Sequence, residues 1–295
     1  MENIKTILRN NRPSLSEASV TTYGSILKSL YDKIFNDEKY KLSNFLKVKQ
    51  IIPALSGMET NTTRTILSAL YILTGKNKYH KMMLVDIAKL KEETDKQEMN
   101  DKQIESWVSQ EQVKDLLDEY ASKADHLYKK QNLTIPDLQK IQDYIILSLL
   151  GGVFIPPRRS KDYVDFMIET PTENSNFLKG RTMIFNSYKT AKTYGTQKVL
   201  LPAILLKILK KWISVNPTSY LLFDNNGNQM TNVKLNQRLN KIFDKKVSVN
   251  QLRHTYLTDK YRDKNDTINE LEEDFKGMGS SSLQTKTYIK TTKIC

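Results

Sequence analysis

Cysteine is almost missing from these 295 residues: the only one is Cys295. A lone thiol excludes a disulfide framework and a thiolate-held metal cluster. Histidine is nearly as scarce, and His80, His126 and His254 are too scattered for a zinc motif of the usual spacing. No stretch reaches the roughly 18 apolar residues of a membrane span. Met1-Glu2-Asn3 does not open a signal peptide, and no internal repeat or low-complexity tract is visible. These absences leave the expectation of a soluble intracellular protein with neither a metal nor a membrane partner.

What is present is positive charge. Against 33 Asp+Glu stand 46 Lys+Arg, a net +13, while 39% hydrophobic residues suffice for a packed core. At about 150 residues per domain, the length predicts two domains. The charge is unevenly placed. Residues 1–90 hold 14 basic and 7 acidic side chains (+7), 91–126 hold 5 and 11 (−6), and 127–295 hold 27 and 15 (+12). Two basic bodies joined by an acidic connector suit a clamp around a polyanion such as double-stranded DNA. A Lys-rich solvated surface is the other reading of the same numbers.

Apolar periodicity predicts mostly helices. Val20, Tyr23, Ile26, Leu27, Leu30 and Tyr31 form one stripe, with Ser14 or Ser16 as its cap. A second helix is expected over Thr62–Leu73, ending near Gly75, and Lys91–Lys102 reads as a solvated linker or helix extension. Ser109 is placed to cap a helix reaching about Ala124, and Ile141–Leu150 reads as a buried helix stopped by Gly151-Gly152. Then Thr182–Phe185 and Val199–Leu201 read as short strands around a polar turn containing Gly195. Helices resume at Ile204–Ile213, Leu235–Phe243 and Asn250–Tyr261. The expected fold is mainly α with a small antiparallel sheet. Its parts are a helical DNA-binding domain (1–90), an acidic linker (91–106) and a larger domain (107–295).

Four segments carry chemistry-bearing residues. They are Pro156-Pro157-Arg158-Arg159-Ser160-Lys161-Asp162-Tyr163; Tyr188-Lys189-Thr190-Ala191-Lys192-Thr193-Tyr194-Gly195; Asn250-Gln251-Leu252-Arg253-His254-Thr255; and Met278-Gly279-Ser280-Ser281-Ser282, with Tyr288 ten residues after Met278. Alone, each has an ordinary explanation: arginines after a proline turn, a hairpin lysine, a structural histidine, a packing tyrosine. In this order and spacing they resemble the tyrosine recombinase (phage integrase-type) family over nearly the whole chain. Leu252-Arg253-His254-Thr255 is the most specific piece. The Pro-Pro-Arg-Arg and Tyr-Lys-Thr-Ala-Lys-Thr-Tyr-Gly runs look most like the subgroup of large eukaryotic DNA viruses and their satellites.

The resemblance implies an enzyme that cleaves and rejoins DNA through a covalent 3′-phosphotyrosine, for integration, excision or resolution. It implies a homo-tetramer on DNA and no cofactor. The compartment would be whichever holds the target DNA, a host nucleus or viral factory for a viral enzyme. Arginines supply forked donors for the phosphate oxygens, a lysine can protonate the leaving 5′ oxygen, and a tyrosine stores the bond energy, so neither metal nor nucleotide is needed.

The family pattern places an acidic residue three positions after its first arginine, then apolar residues at four, five and seven. Arg159 fits with Asp162, Tyr163, Val164 and Phe166, whereas Arg158 does not. The implied catalytic set is therefore Arg159, Lys189, Arg253 and Tyr288, with Arg158 and Lys192 as phosphate contacts and Lys192 also a rival to Lys189. Asn250, His254 and Ser280 would be supporting residues. Two of them depart from the family pattern. Asn250 stands where His or Lys is usual and cannot act as an acid or base, and Ser280 stands where His or Trp is usual. Those departures keep open a DNA-binding derivative that has lost chemistry. A type IB topoisomerase uses similar residues as a monomer.

Overall fold

The computed structural model describes residues 2–35, 41–261 and 268–279. The chain divides into two compact units, with the boundary between Lys96 and Gln97.

The described part of the first unit is all helical. In order come α1 (Glu2–Asn11), α2 (Glu17–Phe35), a 3₁₀ turn (Leu42–Leu46), α3 (Val48–Ala54), α4 (Thr60–Thr74) and α5 (Asn77–Asp95). The Ser16 hydroxyl accepts from the Ser19 amide at 3.2 Å, making Ser16 the cap of α2. Helix α4 is the centre, and its Leu67 and Leu70 are fully buried with Leu8, Leu27, Phe45, Ile51 and Tyr79. Gly75 ends α4 at φ 68°, a left-handed conformation that costs glycine little. The hydroxyl of the buried Tyr79 donates to the Phe45 carbonyl at 2.8 Å. The acidic stretch after residue 90 begins as helix: α5 continues to Asp95, and a new helix starts at Asp101.

The second unit contains α6 (Asp101–Ser106), α7 (Gln110–Leu127), α8 (Ile135–Leu150), α9 (Ser160–Val164), β1 (Phe166–Met167), β2 (Asn176–Lys179), β3 (Thr182–Phe185), α10 (Ala191–Tyr194), β4 (Gln197–Leu200), α11 (Ala203–Ile213), α12 (Asn232–Phe243), α13 (Val249–Tyr261) and α14 (Ile268–Gly277). Reciprocal capping boxes start three of these: Asn100 with Gln103 on α6, Ser109 with Gln112 on α7, and Thr134 with Asp137 on α8. Helix α8 runs through the core, where Ile141, Ile145, Ile146, Leu147, Leu149 and Leu150 are fully buried. Gln142 on its inner face is satisfied by Phe223, accepting from its amide at 2.8 Å and donating to its carbonyl at 2.9 Å.

The sheet order is β1-β2-β3-β4. β2–β3 and β3–β4 are antiparallel, but β1 pairs parallel to β2, so the sheet is mixed where the sequence predicts an antiparallel one. A two-residue strand is too short to show any alternation, which is why β1 is invisible in the sequence. The molecule is therefore mainly α with a small sheet. No helix of the described residues is long and apolar enough to cross a membrane.

Two glycines shape the exit of the chain from α8. Gly151 closes the helix and its carbonyl accepts from Gln110 Nε2 at 2.7 Å. Gly152 has φ +73°, and a Cβ there would lie 2.6 Å from Cδ2 of Tyr256 on α13. The absence of that atom lets the chain leave the core helix against α13 and run directly into the Pro156-Pro157-Arg158-Arg159 segment.

Candidate functional site

Arg158 is 0% exposed. Its Nε donates to Asp162 Oδ2 at 2.8 Å, and its Nη1 donates to Gln197 Oε1 at 2.7 Å and to the Gly277 carbonyl at 2.6 Å. The guanidinium lies over the Phe185 ring at 4.0 Å and the Tyr188 ring at 5.2 Å from their centroids. The position expected to meet DNA phosphate is thus an interior one. A guanidinium engaged by a carboxylate, an amide, a carbonyl and two rings joins parts of the protein. Breaking such a buried ion pair on one side costs about 3–5 kcal/mol.

Arg159 has the other environment. It is the residue before α9, half-buried, and its Nη1 has no hydrogen-bond partner among the described residues. Gly279 explains how it fits: a Cβ there would stand 3.0 Å from Arg158 Nη2 and 3.5 Å from Arg159 Nη1. With φ +65° as well, this position admits only glycine without displacement.

Arg253, on α13, is 2% exposed, and its Nη1 donates a long bond (3.4 Å) to Asn250 Oδ1 one turn earlier. His254 beside it is buried. Helix α13 is held by its polar side chains as much as by its apolar ones. Thr255 Oγ1 donates to the Val108 carbonyl at 2.8 Å, and Gln251 Oε1 accepts from Ser106 Oγ at 3.3 Å.

Asp162 gathers the arginines. Burial pushes its carboxyl above the ordinary value, and the charges of Arg158, Arg159 and Arg253 all pull it down. Three guanidinium groups therefore lie within electrostatic reach of one buried carboxylate. Guanidinium does not deprotonate in proteins, so Asp162 neutralises at most one of the three. With Arg158 paired to Asp162, the charge of Arg159 is left over in a partly dry cluster, which favours an anion as ligand.

The strand–turn–strand segment reaches the same place. Tyr188 packs against Arg158, and burial raises its hydroxyl pKa. Thr190 Oγ1 donates to the Gly279 carbonyl at 3.3 Å. Lys189, between them, is exposed, as is Lys192 on α10. The contacts of its two neighbours bracket Lys189 against the arginine cluster, while Tyr188 closes the loop by donating to the Gly195 carbonyl at 2.7 Å.

Compared with models of known protein families and with curated proteins, the chain matches none.

The structure thus brings together Arg158, Arg159, Arg253, Asn250 and the flanks of Lys189, and it seats Gly279 beside Arg158, Arg159 and Asp162. Ser280 and Tyr288 lie outside the described residues. Two participants were not expected from the sequence. Gln197 joins Arg158 to α14, since its Nε2 also donates to the Lys276 carbonyl at 3.0 Å. Asn176, opening β2, donates to the carbonyls of Asp162 (3.0 Å) and Ser187 (2.8 Å) and accepts from the Asn186 and Ser187 amides. It fixes the backbone of Asp162 against the turn that carries Tyr188. Neither residue has a local sequence signal, because their partners lie as far as 79 positions away.

Proposed function

We propose that this chain is a tyrosine-type DNA strand transferase, a site-specific recombinase or integrase acting on double-stranded DNA. The observation that carries the reading is the gathering of Arg158, Arg159 and Arg253 around the buried Asp162, with Arg159 Nη1 left without a partner among the described residues. In this reading Arg159 and Arg253 bind the non-bridging oxygens of the scissile phosphate, where negative charge grows during attack. The Tyr288 hydroxyl gives up its proton to solvent as its oxygen forms a bond to phosphorus, and the bond from phosphorus to the 5′ oxygen breaks. Lys189 gives that oxygen its proton, leaving a 5′ hydroxyl and a 3′-phosphotyrosine. Attack by a 5′ hydroxyl of another strand reverses the step and rejoins DNA, so no external energy source enters. Asn250 has no proton to exchange near neutral pH, and its role is to orient Arg253. Rejoining between two duplexes calls for four protomers.

A second reading, a DNA-binding derivative without chemistry, is supported by Asn250 and Ser280. A nicked suicide duplex carrying the target site, found from repeats flanking the gene, distinguishes them. We expect a covalent adduct on a denaturing gel, absent in Tyr288→Phe. Tight binding with no adduct would overturn the enzymatic reading in favour of the binding protein, and relaxation of supercoils by a monomer would favour a topoisomerase.

A further inference from the structure

The last turn of a helix leaves carbonyl oxygens without intrahelical partners. On α14 three of the carbonyls at and just past its C-terminus are taken up by side chains from elsewhere in the unit. The Lys276 carbonyl accepts from Gln197 Nε2 at 3.0 Å, the Gly277 carbonyl from Arg158 Nη1 at 2.6 Å, and the Gly279 carbonyl from Thr190 Oγ1 at 3.3 Å. Arg158 contributes a full positive charge at the negative end of the helix, where cations are favoured. The three donors come from the start of β4, the segment before α9 and the turn before α10, so one clasp ties all of them to α14. Its donors are largely shielded: Arg158 is 0% and Gln197 7% exposed.

The helix is held separately at its body. Asp274 accepts from Lys260 Nζ at 2.7 Å, from Tyr256 Oη at 3.2 Å and from Tyr261 Oη, while Phe275 and Met278 pack on Leu257 and Tyr261. These contacts attach α14 to α13 whether or not its end is clasped. What the clasp adds is the exact exit of the chain at Gly279, and the sequence beyond that point carries Tyr288.

We infer that Arg158, with Gln197 and Thr190, is a positioning residue that clasps the C-terminal carbonyls of α14 and sets where the Tyr288-bearing segment starts relative to Arg159. This rests on the strand-transferase reading for its consequence in catalysis, though the clasp itself does not. It assigns Arg158 a role apart from phosphate binding: a charge used against helix carbonyls and Asp162.

Two measurements on the full-length chain test it. Hydrogen exchange of peptides spanning α14 to Gly279 should accelerate about tenfold or more in Arg158→Met and in Gln197→Leu, with peptides of α7 and α8 unchanged. At saturating suicide DNA, adduct formation should slow by roughly a hundredfold in Arg158→Met, the scale expected of an ångström-sized misplacement, with the DNA dissociation constant changed less than about threefold. Arg158→Lys keeps a cation for the Gly277 carbonyl and should recover part of the rate. Gln197→Leu removes no buried charge, so it decides the matter if Arg158→Met fails to fold. Unchanged exchange at α14 in Gln197→Leu overturns the clasp. A loss of DNA affinity in Arg158→Met with normal exchange returns Arg158 to phosphate binding and overturns the inference too. If the wild-type chain forms no adduct, the strand-transferase reading fails, and the exchange experiment still judges the clasp.

Discussion

Two adjacent arginines with the same charge have opposite employments here. Arg158 has its Nε and Nη1 answered by a carboxylate, an amide oxygen and a carbonyl, and its Nη2 alone is buried without a partner among the described residues. Arg159 keeps a buried Nη1 with no partner among the described residues, next to Gly279. A donor held dry without an acceptor is costly unless a ligand supplies one, and Arg159, half-buried where Arg158 is wholly buried, is the member of the pair we propose to face phosphate. The register of the acidic and apolar residues after Arg159 points the same way. Lysine at 159 would keep the charge and lose the planar fork. Arg159→Lys is expected to lower the rate of adduct formation by roughly 10²–10³-fold, as losing one oxyanion donor does, while its urea midpoint stays near wild type. Equal losses of stability and rate would mean that Arg159, like Arg158, serves the fold.

At the scale of elements, α2, α4, α7, α8, α11, α12 and α13 were legible because each repeats an apolar stripe, and their starts were legible where a cap is local, whereas short helices such as α9 and α10 repeat nothing. Ser109 and Gln112 lie three residues apart and bond each other reciprocally, so the start of α7 is written in four letters. Gly75 and Gly151-Gly152 stop their helices where the sequence predicts. β1 and β2 were not legible, because two and four residues show little or no period and Phe166 and Met167 pair with Asn176 and Phe177 only once the chain has folded. The site was legible in part for a similar reason. Arg253, His254 and Asn250 share one helix and so announce themselves together, whereas Gln197 and Asn176 act on residues known only after folding.

The start of α8 gives a test at this scale. Asp137 accepts from Lys130 Nζ at 2.7 Å and from the Thr134 hydroxyl at 2.8 Å and amide at 3.1 Å. The Lys130 bond first, then those from Thr134, hold its carboxyl at about 2, against an ordinary value of 3.8. A carboxyl lowered in the folded state contributes stability above its unfolded value and loses that contribution as pH falls toward the folded one. Wild type should therefore lose stability between about pH 4 and pH 2 more steeply than Asp137→Asn, measured as paired urea unfolding curves. Parallel pH profiles would show that the bonds at Asp137 do not differ in strength between folded and unfolded chains.

For the whole molecule, the question is what the other positive charges do once the site has taken its share. Of 46 basic residues, Arg159, Lys189 and Arg253 are proposed for the reaction and Arg158 for the clasp. The whole set is distributed as +7 over residues 1–90 and +12 over 127–295, with −6 between. A solvated Lys-rich surface and a DNA-binding one differ in a measurable way, because only the second displaces counterions when DNA binds. Each phosphate neutralised contributes a slope of about −0.9 to the logarithm of affinity against the logarithm of salt concentration, and six to ten contacts cost roughly 10³–10⁵ in affinity between 50 and 200 mM. Tyr288→Phe removes the proposed nucleophile without touching the basic residues, so its binding curve is free of cleavage. We expect this variant to bind a non-cognate duplex with a slope steeper than about −5, six phosphates' worth within the scatter of such measurements. A slope near −1 would mean that the two basic blocks are ordinary solvated surface and that DNA meets little more than the arginine cluster.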